Sequence, residues 1–167
     1  MTYNKANLVT GMVNTLLNAD GEDVVISEFA YTYYADGNQR TKTETLLGGD
    51  PVTTTYVYDG LGRLIGETTG EDSITYTYDA SGNRTGMNRN GTVTAYAYDA
   101  NNRLLSETVG DTVTTCTYDA NGNTLTAGDK TYTYNDRGQQ TGYSNGTTAA
   151  AYAYNPSGLR KAKTVGG

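Results

Sequence analysis

The chain has 167 residues, with 12 Lys and Arg against 18 Asp and Glu, a single Cys, and neither His nor Trp. The missing His excludes Ser-His-Asp and Cys-His nucleophilic chemistry, histidine acid–base work and most zinc sites. The lone Cys excludes an intrachain disulfide framework, and a net charge of −6 argues against sequence-independent nucleic-acid binding, which needs a basic face.

Tyr occurs 16 times against one Phe, and the hydrophobic share is 36%. That share is low for a globular domain, yet the Tyr load argues against plain disorder. No apolar run approaches about 18 residues and no basic-then-apolar leader opens the chain, so neither a membrane span nor a signal peptide is expected within it. A leader upstream in a longer protein stays open.

In chain order, the first feature is Tyr3-Asn4 ahead of the apolar pair Leu8-Val9, a degraded copy of a motif that returns seven times. Leu8, Met12, Val13, Leu16 and Leu17 could mark one face of a short helix. Thr, Asn and Gly among them, and the register of the repeat, favour a strand pair. Residues 1–30 are read as a degenerate N-terminal repeat and 31–167 as one continuous repeat domain.

The repeat is a Tyr-x-Tyr pair at Tyr31/Tyr33, Tyr56/Tyr58, Tyr76/Tyr78, Tyr96/Tyr98, Cys116/Tyr118, Tyr132/Tyr134 and Tyr152/Tyr154. Intervals between second tyrosines are 25, 20, 20, 20, 16 and 20 residues, and 13 of the 16 tyrosines occupy these slots. An Asx follows at Asp59, Asp79, Asp99, Asp119, Asn135 and Asn155, with Tyr34 departing. Three residues after the Asx position stands Gly37, Gly62, Gly82, Gly122, Gly138 or Gly158, with Asn102 the exception. This is a turn with a mechanism: the Asx side chain caps it, and Gly or Asn accepts the left-handed φ of a type I turn closed by a G1 bulge. At the other end of each unit, Gly70-Glu71-Asp72, Asn90-Gly91, Gly110-Asp111, Gly128-Asp129 and Asn145-Gly146 suit tight hairpins of the primed types.

Short connections force antiparallel neighbours, because a parallel crossover needs a dozen or so residues. The predicted fold is therefore all-β: antiparallel hairpin repeats forming a continuous meander of roughly 14 strands. Sheets beyond about ten strands curl or split, so a curved segment of a barrel-like or shell-like wall is expected. Alternation puts both tyrosines of a pair on one face, continued by Ile74 or Thr94. The opposite face carries small or β-branched residues such as Thr53, Thr55 and Val57, or Thr75 and Thr77, or Ala149, Ala151 and Ala153. Tyr in place of Phe means that each hydroxyl needs a partner. Two answers stand open: a hydrogen-bonded ladder of phenols, or a face lining a wet space.

Tyr58-Asp59-Gly60-Leu61-Gly62-Arg63-Leu64, with weaker copies at Tyr98–Leu104 and in Tyr78-Asp79-Ala80-Ser81-Gly82-Asn83-Arg84-Thr85, resembles the YD repeat of the RHS family. Tyr154-Asn155-Pro156-Ser157-Gly158-Leu159-Arg160-Lys161 resembles its later copies in Gram-positive bacteria. The likeness covers about residues 31–160 and implies a β-strip spiralling into a hollow shell. Such a shell encloses a variable, often toxic C-terminal segment, or forms the body of a large surface protein. Expected partners are the rest of the parent shell and its enclosed C-terminal domain, and expected localisation is secreted or bacterial cell surface. The chain shows no Asp-Pro-x-Gly plug motif, and seven or eight units are too few for a whole shell. Its terminal strands would be open edges that invite self-association.

Sharper chemistry finds little support in the residues. Asp119-x-Asn121-Gly122-Asn123 and Asp79-x-Ser81-Gly82-Asn83 superficially suggest calcium loops, but Gly stands fourth rather than sixth and the twelfth residue is not Glu, so plain turns are expected and no metal or cofactor. No regular pair of carboxylates marks a glycosidase among Glu67, Glu71, Asp72, Glu107 and Asp111. Cys116, with no His to activate it, reads as an inert thiol. Arg40, Arg63, Arg84, Arg103 and Arg160 are expected to stack on a neighbouring Tyr or pair with a turn Asp. A non-catalytic structural wall is the leading reading. The alternative is a carbohydrate-binding or adhesive surface, with Tyr76, Tyr78, Tyr96 and Tyr98 as its ligand face.

Overall fold

Asp59 shows how this sequence makes its turns. Its N–H donates to the Arg63 carbonyl at 3.0 Å, and the Gly62 N–H donates to the Asp59 carbonyl at 3.0 Å. The carboxylate Oδ1 accepts the backbone N–H groups of Leu61 and Arg63, each at 2.9 Å. Gly62 takes φ 74°, the left-handed position where a Cβ is penalised. This is the expected type I turn with its G1 bulge. The same main-chain pair recurs at Tyr34, Asp99, Asp119, Asn135 and Asn155, and Asn102 holds φ 62° where its counterparts have Gly. Asn4 and Asn18 close identical turns. The Asn18 turn lies at the opposite end of its strands from the others and lacks a preceding Tyr-x-Tyr pair.

The protein is described by a computed structural model covering residues 1–166. It comprises two units, Met1–Asp79 with Gly86–Val93, and Ala80–Thr85 with the chain from Thr94 onward. In the first unit, β1 (Thr2–Tyr3), β2 (Val9–Leu17), β3 (Asp23–Tyr33), β4 (Gln39–Leu46), β5 (Val52–Tyr58), β6 (Leu64–Thr69) and β7 (Asp72–Tyr78) pair antiparallel in chain order. Strands β8 (Arg84–Arg89) and β9 (Thr92–Tyr98) are divided between the units. In the second unit, β9 from Thr94 onward, β10 (Leu104–Val109), β11 (Thr112–Tyr118), β12 (Thr124–Ala127), β13 (Lys130–Tyr134), β14 (Gln140–Ser144), β15 (Ala149–Tyr154) and β16 (Arg160–Gly166) pair antiparallel in chain order. The described residues contain no helix, so Val9–Leu17 is a strand and the fold is all-β and antiparallel. Among the described residues there are sixteen strands rather than roughly fourteen, because the Asn4 turn adds a further strand pair, with β1 only two residues long.

At the far ends, Gly70, Gly110 and Gly128 take φ between 56° and 61° at the first position of two-residue loops, and Asn90 and Gly91 are both left-handed. These are the primed turns that the sequence predicts. Asn145-Gly146 differs. There the Asn145 carboxamide oxygen accepts the N–H of Thr148 at 2.7 Å and of Thr147 at 3.2 Å, which opens a four-residue connection instead.

Only Ile74 and Thr94 are buried among the described residues. Both lie on the tyrosine face, which is half-covered along β7 and β9 while Thr75, Thr77 and Val93 on the other face are exposed. With so small a dry core, order rests on cross-strand pairs and turn networks. Thr32–Thr41, Thr43–Thr53 and Thr117–Thr126 link their hydroxyls at 2.6 to 2.8 Å.

Candidate functional site

The feature that positions every functional-type side chain is a second irregularity, one residue past each turn. Tyr58 opposes Leu64 but Val57 opposes Gly66, so Ile65 is bulged out of register. Leu105, Leu125, Thr141 and Lys161 are bulged in the same way. The bulge shifts the returning strand by one residue, so that Glu67 and Glu107 face Tyr56 and Tyr96 directly. Alternation across Leu64-Ile65 and Leu104-Leu105 is therefore interrupted.

The bulge also ends the ladder with the next strand. Pairing of β6 with β7 stops at Gly66–Thr75, of β10 with β11 at Ser106–Thr115, and of β14 with β15 at Gly142–Ala151. Each Tyr-x-Tyr segment is thus paired to the strand after it and stands off from the strand before it. The gap is a wedge that opens toward the Asx turns. Tyrosine hydroxyls close it: Tyr78 donates to the Leu64 carbonyl at 2.7 Å, Tyr98 to Arg84 at 3.0 Å, Tyr118 to Leu104 at 2.9 Å and Tyr154 to Gln140 at 2.8 Å. This is a third answer to the question of why Tyr replaces Phe: the partners are main-chain carbonyls that the bulge leaves without a ladder bond.

Arginine fills two of the wedges. Arg63 donates Nε to Asp59 Oδ2 at 2.7 Å, reaches the Asp79 carbonyl with Nη1 at 3.1 Å, and lies 4.8 Å from the Tyr78 ring centre. Arg103 repeats this with Asp99 at 2.7 Å, the Asp119 carbonyl at 3.5 Å and the Tyr118 ring at 4.9 Å. Arg84 stacks at 4.8 Å on Tyr96, and Arg40 and Arg160 lie over Tyr34 and Tyr152 at 5.8 and 5.5 Å. In four other copies an amide stands at the Arg63 position, and in the last copy Leu159 does. Asn83 Nδ2 donates to Asn102 Oδ1 at 2.8 Å, Asn123 Nδ2 turns back to Asp119 Oδ2 at 2.8 Å, and Gln139 Nε2 reaches the Gly158 carbonyl at 3.1 Å.

These contacts hold Asp59, Asp99 and Asp119 below the ordinary carboxylate value. For Asp59 and Asp99 the largest cause is the backbone N–H of Arg63 or Arg103, opposed by partial desolvation and aided by the guanidinium. For Asp119 the Asn123 side-chain amide leads. Both Asp119 carboxylate oxygens are occupied by its own turn. Desolvation pushes Tyr58, Tyr118 and Tyr134 upward.

Of the expected ligand face, Tyr78 lies under Arg63, Tyr96 under Arg84, and Tyr98 bonds the Arg84 carbonyl, while Tyr76 reaches Glu67 Oε1 at 3.3 Å. All four rings are half-buried. Tyr132 tilts against Tyr143 at 5.6 Å, a pairing the repeat does not announce because Tyr143 stands outside the paired slots. Among the described residues two wedges stand open to solvent. One of about 400 Å³ lies between Tyr34, Ala35 and Asp36 on one side and Val57, Tyr58 and Asp59 on the other. The second, of about 670 Å³, lies between the Asn135 turn and the Tyr152–Pro156 segment, with Arg137 and Lys161 at its rim. Among the described residues no cluster of three or more acidic or Cys side chains could hold a metal ion, and no helix is long and apolar enough to cross a membrane.

A mutant Tc holotoxin pore of Photorhabdus luminescens is similar at 17% identity and TM-score 0.39, and a TcdB2–TccC3 structure without its hypervariable C-terminal region at 16% and 0.40. Each match covers 90% of this chain and 13% of the other. No curated protein matches. The Teneurin YD-shell family model matches residues 3–165, and with the turn, bulge and Tyr-x-Tyr repeat in view, the chain belongs to that family of YD/RHS-type repeats.

Proposed function

We propose that this structural, shell-forming repeat is a non-catalytic stretch of β-wall that encloses or displays a C-terminal domain of its parent protein, secreted or on a bacterial cell surface. In this reading residues 1–30 are a degenerate copy and 31–167 one continuous repeat region, of which Gly167 lies outside the described residues. The observation that carries it is the commitment of the reactive side chains. Arg63, Arg103 and the hydroxyls of Tyr78, Tyr98, Tyr118 and Tyr154 are all engaged in fastening one repeat to the next. Limited proteolysis of the whole parent polypeptide tests it. The C-terminal domain should resist cleavage in the native protein and become sensitive when Arg63→Ala and Arg103→Ala are combined. Equal cleavage in both refutes containment.

The carbohydrate reading is less well supported, because the rings and hydroxyls that would meet a sugar are covered or bonded within the chain. Saturable sugar binding lost on Tyr76→Ala with Tyr78→Ala would restore it. Self-association is part of the proposal as well. Strand β1 covers β2 only at Val9 and Gly11, and β16 is exposed along its length. A solution mass above that of one chain is the expected result.

A further inference from the structure

We infer that the open wedge between the Tyr34 turn and Tyr58 is a docking slot for the guanidinium of an arginine carried by a partner polypeptide. The chain itself shows what this kind of wedge holds. In the two wedges that follow turns with Arg at their fifth position, the guanidinium lies on the second tyrosine of the next repeat and donates to the carbonyl of its Asx residue. Tyr58 and Asp59 are the corresponding ring and carbonyl here, but the fifth position is Asn38. Its short side chain folds back, Nδ2 donating to Asp36 Oδ2 at 3.0 Å. Tyr34, standing where other copies have an Asx, closes part of the gap. Its hydroxyl donates to the Tyr56 carbonyl at 3.0 Å and its ring meets Tyr58 edge to face at 6.2 Å. About 400 Å³ remains.

The charge of the rim selects the occupant. The residues lining this wedge include Asp36 and Asp59. Arg63 already pairs with the Asp59 carboxylate at 2.7 Å and Arg40 lies 5.8 Å from the Tyr34 ring centre. This leaves the Asp36 carboxylate to meet a cation, whereas the larger wedge at Tyr154 is lined by Arg137 and Lys161. The Tyr58 ring, the Asp36 carboxylate and the Asp59 main-chain carbonyl suit a planar, multiply donating cation better than a compact ammonium. The inference does not rest on the containment reading, since the partner's arginine could come from any polypeptide segment presented to the turn end.

The test uses the intact chain and three probes, N-acetyl-arginine amide and its lysine and glutamine counterparts, followed by NMR. Saturable shifts confined to residues 34–36 and 57–59 are expected, with arginine binding about threefold more tightly than lysine and glutamine amide producing none. Asn38→Arg supplies the guanidinium from within, as sister turns do, and should abolish the response. Equal responses to all three probes, shifts spread over the other tyrosines, or full binding retained by Asn38→Arg would each overturn the assignment. The probe comparison on the unaltered chain decides the matter even if the variant folds poorly.

Discussion

Replacing Tyr78 by Phe removes one oxygen and leaves the ring for Arg63 to lie on. The lost bond is 2.7 Å long and part-buried, from the hydroxyl to the Leu64 carbonyl. A hydrogen bond of this kind contributes about 1 kcal/mol net, and a carbonyl stranded away from water costs about 1–3 kcal/mol. Leu64 is half-buried, so water can reach the carbonyl once the wedge loosens, and the lower figure applies. About 1 kcal/mol in a chain of this size lowers the unfolding midpoint by about 2–4 °C. The matched control is Tyr56→Phe, whose hydroxyl makes no hydrogen bond among the described residues, and it should stay within about 0.5 kcal/mol of the parent. Urea and thermal unfolding followed by circular dichroism measure both. Adding Tyr118→Phe, several strands along the chain, should double the loss, because distant sites without shared partners add. If Tyr78→Phe and Tyr56→Phe behave alike, the phenol-to-carbonyl closure of the wedge is wrong.

Three further outcomes follow from the turn network. Arg103→Ala should cost about 1–1.5 kcal/mol, combining a partly exposed ion pair of about 0.5 with a stacking contact of about 0.5–1; in denaturant titration Arg103→Lys should recover less than half, since an ammonium cannot serve Asp99, the Asp119 carbonyl and the Tyr118 ring together. Asp59, Asp99 and Asp119 are held below the ordinary 3.8, so their contribution is present above that value and disappears as pH falls through the lower folded-state values. Acid titration should therefore unfold the chain below pH 3.8, and Asp119→Asn should weaken that dependence. At the other end, Tyr58, Tyr118 and Tyr134 are raised above 10.0 by desolvation, and Lys42 is raised above 10.5, chiefly by its 3.0 Å bond to Glu44. A raised group stabilises fully below its unfolded value and loses that contribution as pH climbs through the folded one, so stability should fall above about pH 10. A flat profile there, with phenolate absorbance rising at the ordinary value, would contradict it.

The turns were legible because their chemistry is local. Asp59 and Gly62 stand three residues apart, and no distant contact is needed to know what that spacing does. The same spacing at Asn18 and Gly21 is harder to recognise, because it comes without a Tyr-x-Tyr pair and at the opposite end of its strands. The bulge at Ile65 left no comparable mark. A bulge is an agreement between two strands about register, and counting along one strand shows only that Leu64 and Ile65 are apolar. Without the bulge, nothing along one strand shows that Glu67 faces Tyr56 or that the Leu64 carbonyl lacks a ladder partner. The use of the Tyr78 hydroxyl was hidden for that reason.

The bulge also explains why the repeat needs phenol and guanidinium together. A regular meander of this length could satisfy its backbone by ladder bonds alone, and Phe would serve its covered face as well as Tyr. Once each returning strand is shifted by a residue, the next strand stands off at the turn end and carbonyls such as those of Leu64, Leu104 and Gln140 face a gap too wide for an N–H partner. A phenol spans that distance with a rigid body and a terminal donor, and a planar cation covers the ring while bridging two successive turns. Beside Tyr58, where Asn38 stands in place of the arginine, the gap stays open. The places where this repeat departs from its own pattern are therefore the places where it has room for something else.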